Sequence, residues 1–301
     1  MSGAYDTGGG GRAAPAWLAE SVSGAARARI KAHPAFAQAM AQSAAALVSL
    51  YSGNRLLNRV LNDRGRLLFG FFSLYLHALP EREGGGLTVS RMAALAAETG
   101  VCSRGRAKAM LALLRWGGYL APAAAEGDRR AKPLEPTARM VALQLERWQM
   151  QYGAIAMLDP RVAELAARLS DRTVFDAVII AFGDAFRSGY RVLDHAPLIA
   201  DIADRDSGLM VLLALLVAGR EGAEPPSIAD LARRFHVSRA HVLQLLKDAQ
   251  ARDLVARDGG AGAGRLAPRG EEALADFFAA AFGLLLGSAR AVLEQAAVPE
   301  R

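Results

Sequence analysis

A chain of 301 residues, 52% of them hydrophobic and 22% charged, is long enough to bury a sizeable core as one large domain or two of ordinary size. That composition excludes a disordered chain. A single cysteine, Cys102, excludes an internal disulfide framework and fits a reducing compartment, so a cytoplasmic location is expected. The net charge of +6 is modest, which makes its placement more telling than its size.

Ala and Leu recur at three- and four-residue spacing and aromatics make up only 7%, so the expected fold is mainly α with few, short strands. Residues 1–15 are glycine-rich and are expected to form a disordered tail, without the basic start and apolar core of a secretory signal. The most apolar runs, "GLMVLLALLVAG" at 208–219 and "FFAAAFGLLLG" at 277–287, are shorter than the roughly 20 residues that cross a bilayer. They are expected as buried helices, and no membrane partner is expected.

The chain resembles itself in four places, in the same order. "YSGNRLL" at 51–57 answers "RSGYRVL" at 187–193, and "LNDRGRLLFGFFSLYL" at 61–76 answers "IADRDSGLMVLLALLV" at 202–217. "SRGRAKAMLALLRWGGYL" at 103–120 answers "SRAHVLQLLKDAQARDLV" at 238–255, and "LEPTARM" at 134–140 answers "LAPRGEEAL" at 266–274. The expectation is a duplicated module spanning residues 16–158 and 172–295, joined by a connecting helix at 159–171 and followed by a tail at 296–301.

Each copy has the same local plan. In the first, a helix is expected from Thr88 to Thr99, a turn at Gly100 to Cys102, and a second helix with Ala107, Met110, Leu111 and Leu114 facing inward. "GYLAPAAAEGDRRAKPLEPT" then reads as a β-hairpin. In the second, Ser227 with Asp230 forms a capping box, His236 to Ser238 make a turn, and Val242, Leu245, Leu246 and Ala249 face inward. "DLVARDGGAGAGRLAPRG" is the second hairpin, ahead of a further helix. The expected architecture is two tandem winged helix-turn-helix modules with small β-hairpin wings, joined by helices.

These residues resemble the MarR-type winged-helix transcriptional regulators, in which a wing of the form D-x-R-A-K, followed by L-x-x-T, leads into a dimerisation helix. Asp128, Arg130, Ala131, Lys132, Leu134 and Thr137 match, as do Leu266, Pro268 and Gly270 in the second copy. The second wing departs from the pattern, with glycines where Asp and Arg would stand. The resemblance implies double-stranded DNA as partner and a cavity for a small-molecule effector that no residue identifies. Because both copies lie on one chain, it implies an intramolecular pseudo-dimer, with a homodimer as the alternative.

The basic charge is segmental. Residues 100–132 hold seven Lys or Arg against two acids, and residues 233–269 hold eight against three, so each window carries +5. Phosphates favour such windows, because neutralising them releases counterions. The expected DNA-binding residues are Ser103, Arg104, Arg106, Lys108, Arg129, Arg130 and Lys132 in the first copy. Ser238, Arg239, His241, Gln244, Lys247 and Arg265 are their counterparts in the second. Ser103 and Ser238 are expected caps and phosphate contacts, and Arg and Gln read guanine and adenine edges. Arginines of this kind are also common on plain solvated faces, and coincidence with the same elements twice is what favours DNA.

Cys102 lies beside Arg104 and Arg106, surroundings that favour a thiolate, so it is a candidate redox sensor; the plainer reading is a small core residue. No metal or cofactor site is expected: His33, His77, His195, His236 and His241 are scattered, with no cysteine near them. The repeated "SG-x-R" (Ser52, Gly53, Arg55 and Ser188, Gly189, Arg191) reads as a helix break or a small-anion site. No catalytic constellation is found, so an enzyme is not expected. The rival to a DNA-binding regulator is a winged-helix scaffold for protein–protein interaction.

Overall fold

The computed structural model describes residues 13–52, 64–123, 132–257 and 262–297. Helices α1 (Ala16–Val22), α2 (Gly24–Lys31), α3 (Phe36–Tyr51) and α4 (Arg64–Ala78) come first. A helix pair, α5 (Val89–Glu98) and α6 (Arg104–Trp116), leads into a ribbon of β1 (Leu120–Pro122) and β2 (Leu134–Pro136) and then α7 (Ala138–Ile155). Helix α8 (Arg161–Arg168) connects to α9 (Arg172–Arg187), α10 (Pro197–Ala203) and α11 (Gly208–Arg220). A second pair, α12 (Ile228–Arg234) and α13 (Arg239–Gln250), leads into β3 (Val255–Ala256), β4 (Arg265–Leu266) and α14 (Pro268–Ala297). Among the described residues the chain is therefore mainly helical, with two small antiparallel strand pairs.

Local chemistry accounts for the helix pairs. Thr88, Ser103, Ser227 and Ser238 each cap a helix, their hydroxyls accepting from the amides of Arg91, Arg106, Asp230 and His241. The inward faces expected from spacing are the buried ones: Ala107, Met110, Leu111 and Leu114 in α6, and Val242, Leu245, Leu246 and Ala249 in α13. Both pairs turn through a left-handed residue, Gly100 at φ 68° and His236 at φ 55°. In each, the next amide reaches back five residues, Val101 to Ala96 O at 3.0 Å and Val237 to Ala232 O at 3.1 Å. The second helices end alike, through Gly118 at φ 72° and Asp253 at φ 57°. The repeat seen in the side chains is thus also a repeat of backbone conformation, in which His236 and Asp253 adopt what glycine adopts more easily.

The ribbons are tied down in the same manner. In the first, Leu120 pairs with Pro136 and Pro122 with Leu134; in the second, Val255 pairs with Leu266 and Ala256 with Arg265. Each ribbon also bonds back to the segment before its helix pair, through Leu134 N to Leu87 O at 2.8 Å and Ala263 N to Pro226 O at 3.0 Å. Thr137 closes the first ribbon by donating its hydroxyl to Gly118 O at 2.8 Å.

Packing interleaves the two halves of the chain. Helix α3 packs on its own α7 but also on α11 of the second half, and α9 packs on its own α14 but also on α4 of the first. Phe71 and Phe72 of α4 meet Phe182 and Phe186 of α9, and Trp148 of α7 sits 5.5 Å from both Phe175 and Phe182. Each such aromatic contact adds about 0.5–1.5 kcal/mol beyond its buried area. Tyr152 of α7 and Ser288 of α14 share a buried hydrogen bond of 2.9 Å where the two long helices meet. One large hydrophobic cluster runs through both halves.

Helices α1 and α2, expected with the first copy, pack instead on α14 of the second. Leu18 joins Ala185 and Leu284 in a buried cluster, and Lys31 pairs with Glu272 and Asp276. Among the described residues one helix, α14, is long and apolar enough to cross a membrane by length and composition; 72% of that stretch is buried inside the protein.

Candidate nucleic-acid interface

The first basic window builds an open, positive helix face. The Ser103 hydroxyl accepts from Arg106 N at 3.4 Å, which starts α6 with Arg104, Arg106 and Lys108 exposed in its first turns. Arg115 and Trp116 extend that exposed surface to the end of the helix, where Trp116 is 75% exposed. Arg104, Lys108 and Arg115 have no ion pair among the described residues. Lys132 is exposed at φ 40°, a left-handed conformation that costs a non-glycine residue about 1 kcal/mol and aims the chain into β2. Arg129 and Arg130, with Asp128, lie outside the described residues.

The second window has the same plan and spends its charge differently. Ser238 caps α13 by accepting from His241 N at 3.1 Å, and Arg239 and Lys247 are exposed. His241 does not face outward as expected: its Nε2 lies 2.8 Å from Asp206 O. A carbonyl only accepts, so Nε2 carries the proton and the ring is committed to the protein. Gln244 is exposed, but its amide donates to Asp248 Oδ1 at 2.8 Å. Asp248 in turn pairs with Arg205, which holds its carboxyl below the usual carboxylate range. Arg265 is exposed, with Nη1 donating to Ala223 O at 3.3 Å and Nη2 standing 3.7 Å from Glu224.

Other cations of this window are likewise engaged. Arg233 pairs with Asp230, Arg252 with Asp201, and Arg269 with Asp253. Arg234, Arg239 and Lys247 nevertheless stay exposed with no ion pair among the described residues, as Arg104, Lys108 and Arg115 do in the first window, so the second window mixes engaged and open cations. Arg205 and Asp201 lie outside the window that was counted, and only folding brings them to it.

Cys102 packs against the core, in keeping with the plainer of its two readings. It is partly buried, and burial pushes its thiol up while Arg106 opposes only part of that effect. The surroundings thus disfavour the thiolate on which reactivity depends. The "SG-x-R" motif of the second half is a helix break: Ser188 donates to Ala185 O at 2.8 Å, Gly189 adopts φ 98°, and Arg191 donates to carbonyl oxygens. Its first counterpart, from Gly53 to Arg55, lies outside the described residues. Among the described residues no group of three His, Cys, Asp or Glu side chains could hold a metal ion. No protein-family model, curated protein or solved structure matches this chain, so what the interface does is argued from its residues alone.

Proposed function

We propose that this chain is a duplex-DNA-binding transcriptional regulator of the winged helix-turn-helix type, similar in plan to the MarR-type regulators. Its two helix pairs and ribbons are tandem modules of an intramolecular pseudo-dimer. The observation that carries the reading is the outward face of α6, where Arg104, Arg106 and Lys108 stand exposed on a capped helix end. A helix N-terminus adds a favourable field for phosphate, and arginine side chains there reach base edges when the helix lies in a major groove. The interleaving of α3 with α11 and of α9 with α4 supports the pseudo-dimer, because the two helix pairs then hang from one shared core. The different residues of the two helices, with Arg104, Arg106, Lys108 and Arg115 exposed on α6 and Arg239 and Lys247 exposed on α13, favour an asymmetric site, with the first module holding DNA more firmly.

The test is a salt titration of binding to a short duplex, followed by fluorescence anisotropy. Log K falls linearly with log salt, by about 0.9 per phosphate neutralised, and Arg104→Ala makes the slope shallower by about one. Absent or salt-independent binding overturns the reading. Selection of bound sequences from random DNA then gives the half-site spacing and the asymmetry.

A further inference from the structure

The segment "RSGYRVL" at 187–193 has no part in the DNA reading, yet it joins the two halves of the chain. Arg187 ends α9 and meets Glu98, the last residue of α5, through a fork: Nε donates to Oε1 at 2.8 Å and Nη2 to Oε2 at 3.1 Å. The two side chains are only 21% and 28% exposed, so water screens this pair less than an open one. Arg187 Nη1 also donates to the Tyr75 hydroxyl at 3.4 Å, and that hydroxyl donates to Asp184 Oδ1 at 2.6 Å. Burial and the Asp184 bond push Tyr75 up to about 12, which keeps the proton it donates.

Arg191 makes the second grip. Its Nη2 donates to Thr99 O at 3.1 Å, while Nη1 donates to Phe186 O at 2.6 Å and Tyr190 O at 3.0 Å. Its guanidinium lies 3.4 Å from the Phe186 ring centroid, which fixes its plane. Glu98 and Thr99 sit just before the turn that leads into α6. Two cations from the second half thus hold the C-terminal end of α5, satisfying a terminal carbonyl and opposing the helix dipole.

We propose that Arg187 and Arg191 are positioning residues, which set the stance of α6 against the shared core without themselves touching nucleic acid. The mechanical part stands on the contacts above; its consequence for DNA rests on the proposed function. Among the described residues the Arg187–Glu98 pair has no counterpart, and Arg55, which answers Arg191, lies outside them. Tyr51 ends α3 where Arg187 ends α9, and Arg234 ends α12 where Glu98 ends α5, so the reciprocal contact cannot be the same ion pair. Helix α13 is tied from its own half instead, by Arg205 to Asp248 and Arg252 to Asp201.

The experiment uses the full chain with Glu98→Ala, Arg191→Ala and the charge-swapped pair Glu98→Arg with Arg187→Glu. Amide hydrogen exchange and salt-dependent DNA binding are measured on each. In either single variant, protection over residues 96–106 falls about tenfold while residues 232–241 keep theirs, and the swap regains part of the loss. DNA affinity falls several-fold with the salt slope unchanged, because no phosphate contact is lost. Unchanged protection at 96–106 overturns the proposal, as does a slope shallower by about one in Arg191→Ala, which would put that guanidinium on a phosphate. If Arg191→Ala does not fold, Glu98→Ala, which removes only a partly exposed carboxylate, decides. A wild-type chain that binds no DNA removes the proposed function, and the exchange measurement still judges the grip.

Discussion

Helices α6 and α13 share a capped start, a left-handed turn before them and a four-residue inward face, and they differ in what surrounds their charges. Around α6, Arg104, Lys108 and Arg115 have no acidic partner among the described residues, and support comes across the chain from Arg187 and Arg191. Around α13, neighbours from the same half engage part of the charge, with Arg205 on Asp248, Asp201 on Arg252 and Glu224 on Arg265, while Arg239 and Lys247 stay exposed with no ion pair among the described residues. The two helix pairs share backbone conformation and differ in electrostatics. Formal charge in a window is therefore a poor measure of the charge offered to a partner.

The largest expected effect tests whether the cross-chain support is rigid. A Cβ at Gly183 would lie 2.0 Å from Tyr75 Cδ2, with the phenol already held by Asp184 and Arg187. Gly183→Ala therefore costs about 3 kcal/mol in chemical denaturation, as overpacking does where a ring cannot retreat. A loss near zero would mean that α9 and α4 slide freely past one another, and the contrast in support would disappear.

The next effect separates the two faces directly. Arg104→Ala costs about 1–3 kcal/mol of DNA binding, whereas Arg265→Ala, which removes a cation already held by Ala223 O and Glu224, leaves the salt slope as it was. Equal slope changes in the two variants would make the faces equivalent.

A smaller effect concerns the support within the second half. Arg205→Ala costs about 0.5–1 kcal/mol of stability at neutral pH, the range for a partly exposed pair. Arg205 lowers the folded-state pKa of Asp248, so this contribution is complete above the unfolded value of about 3.9 and disappears as pH falls through the lower folded value. Stability curves of wild type and variant against pH accordingly converge in acid. The smallest effect is at Cys102: with its thiol pushed up by burial, mild peroxide leaves DNA affinity unchanged. A peroxide response abolished by Cys102→Ser would contradict this.

Short-range features were legible before any coordinates. Ser103, Ser227 and Ser238 announce helix starts because a hydroxyl and the amide it caps lie three residues apart. The duplicated order survived in Gly100 with His236 and Gly118 with Asp253, pairs whose residue types do not resemble each other and whose backbone does. The contacts of His241 with Asp206 and of Arg265 with Glu224 could not be read from the sequence because those partners are 35 and 41 residues away. The placement of α1 and α2 escaped for the same reason, since Lys31 finds Glu272 and Asp276 only after the second half has folded beside it.

The sequence by itself determined the helices, their inward faces, the ribbons and the repetition of that plan, because periodicity, capping and turn chemistry act between residues a few positions apart. Tertiary structure alone decided which cations stay open and which are spent. It also decided that α9 of one half grips α5 of the other, and that α1 and α2 lie against α14. Those outcomes depend on packing contacts and hydrogen-bonded ion pairs that form only at close range, and only the folded chain brings Arg187 to Glu98 or Arg205 to Asp248 at that range.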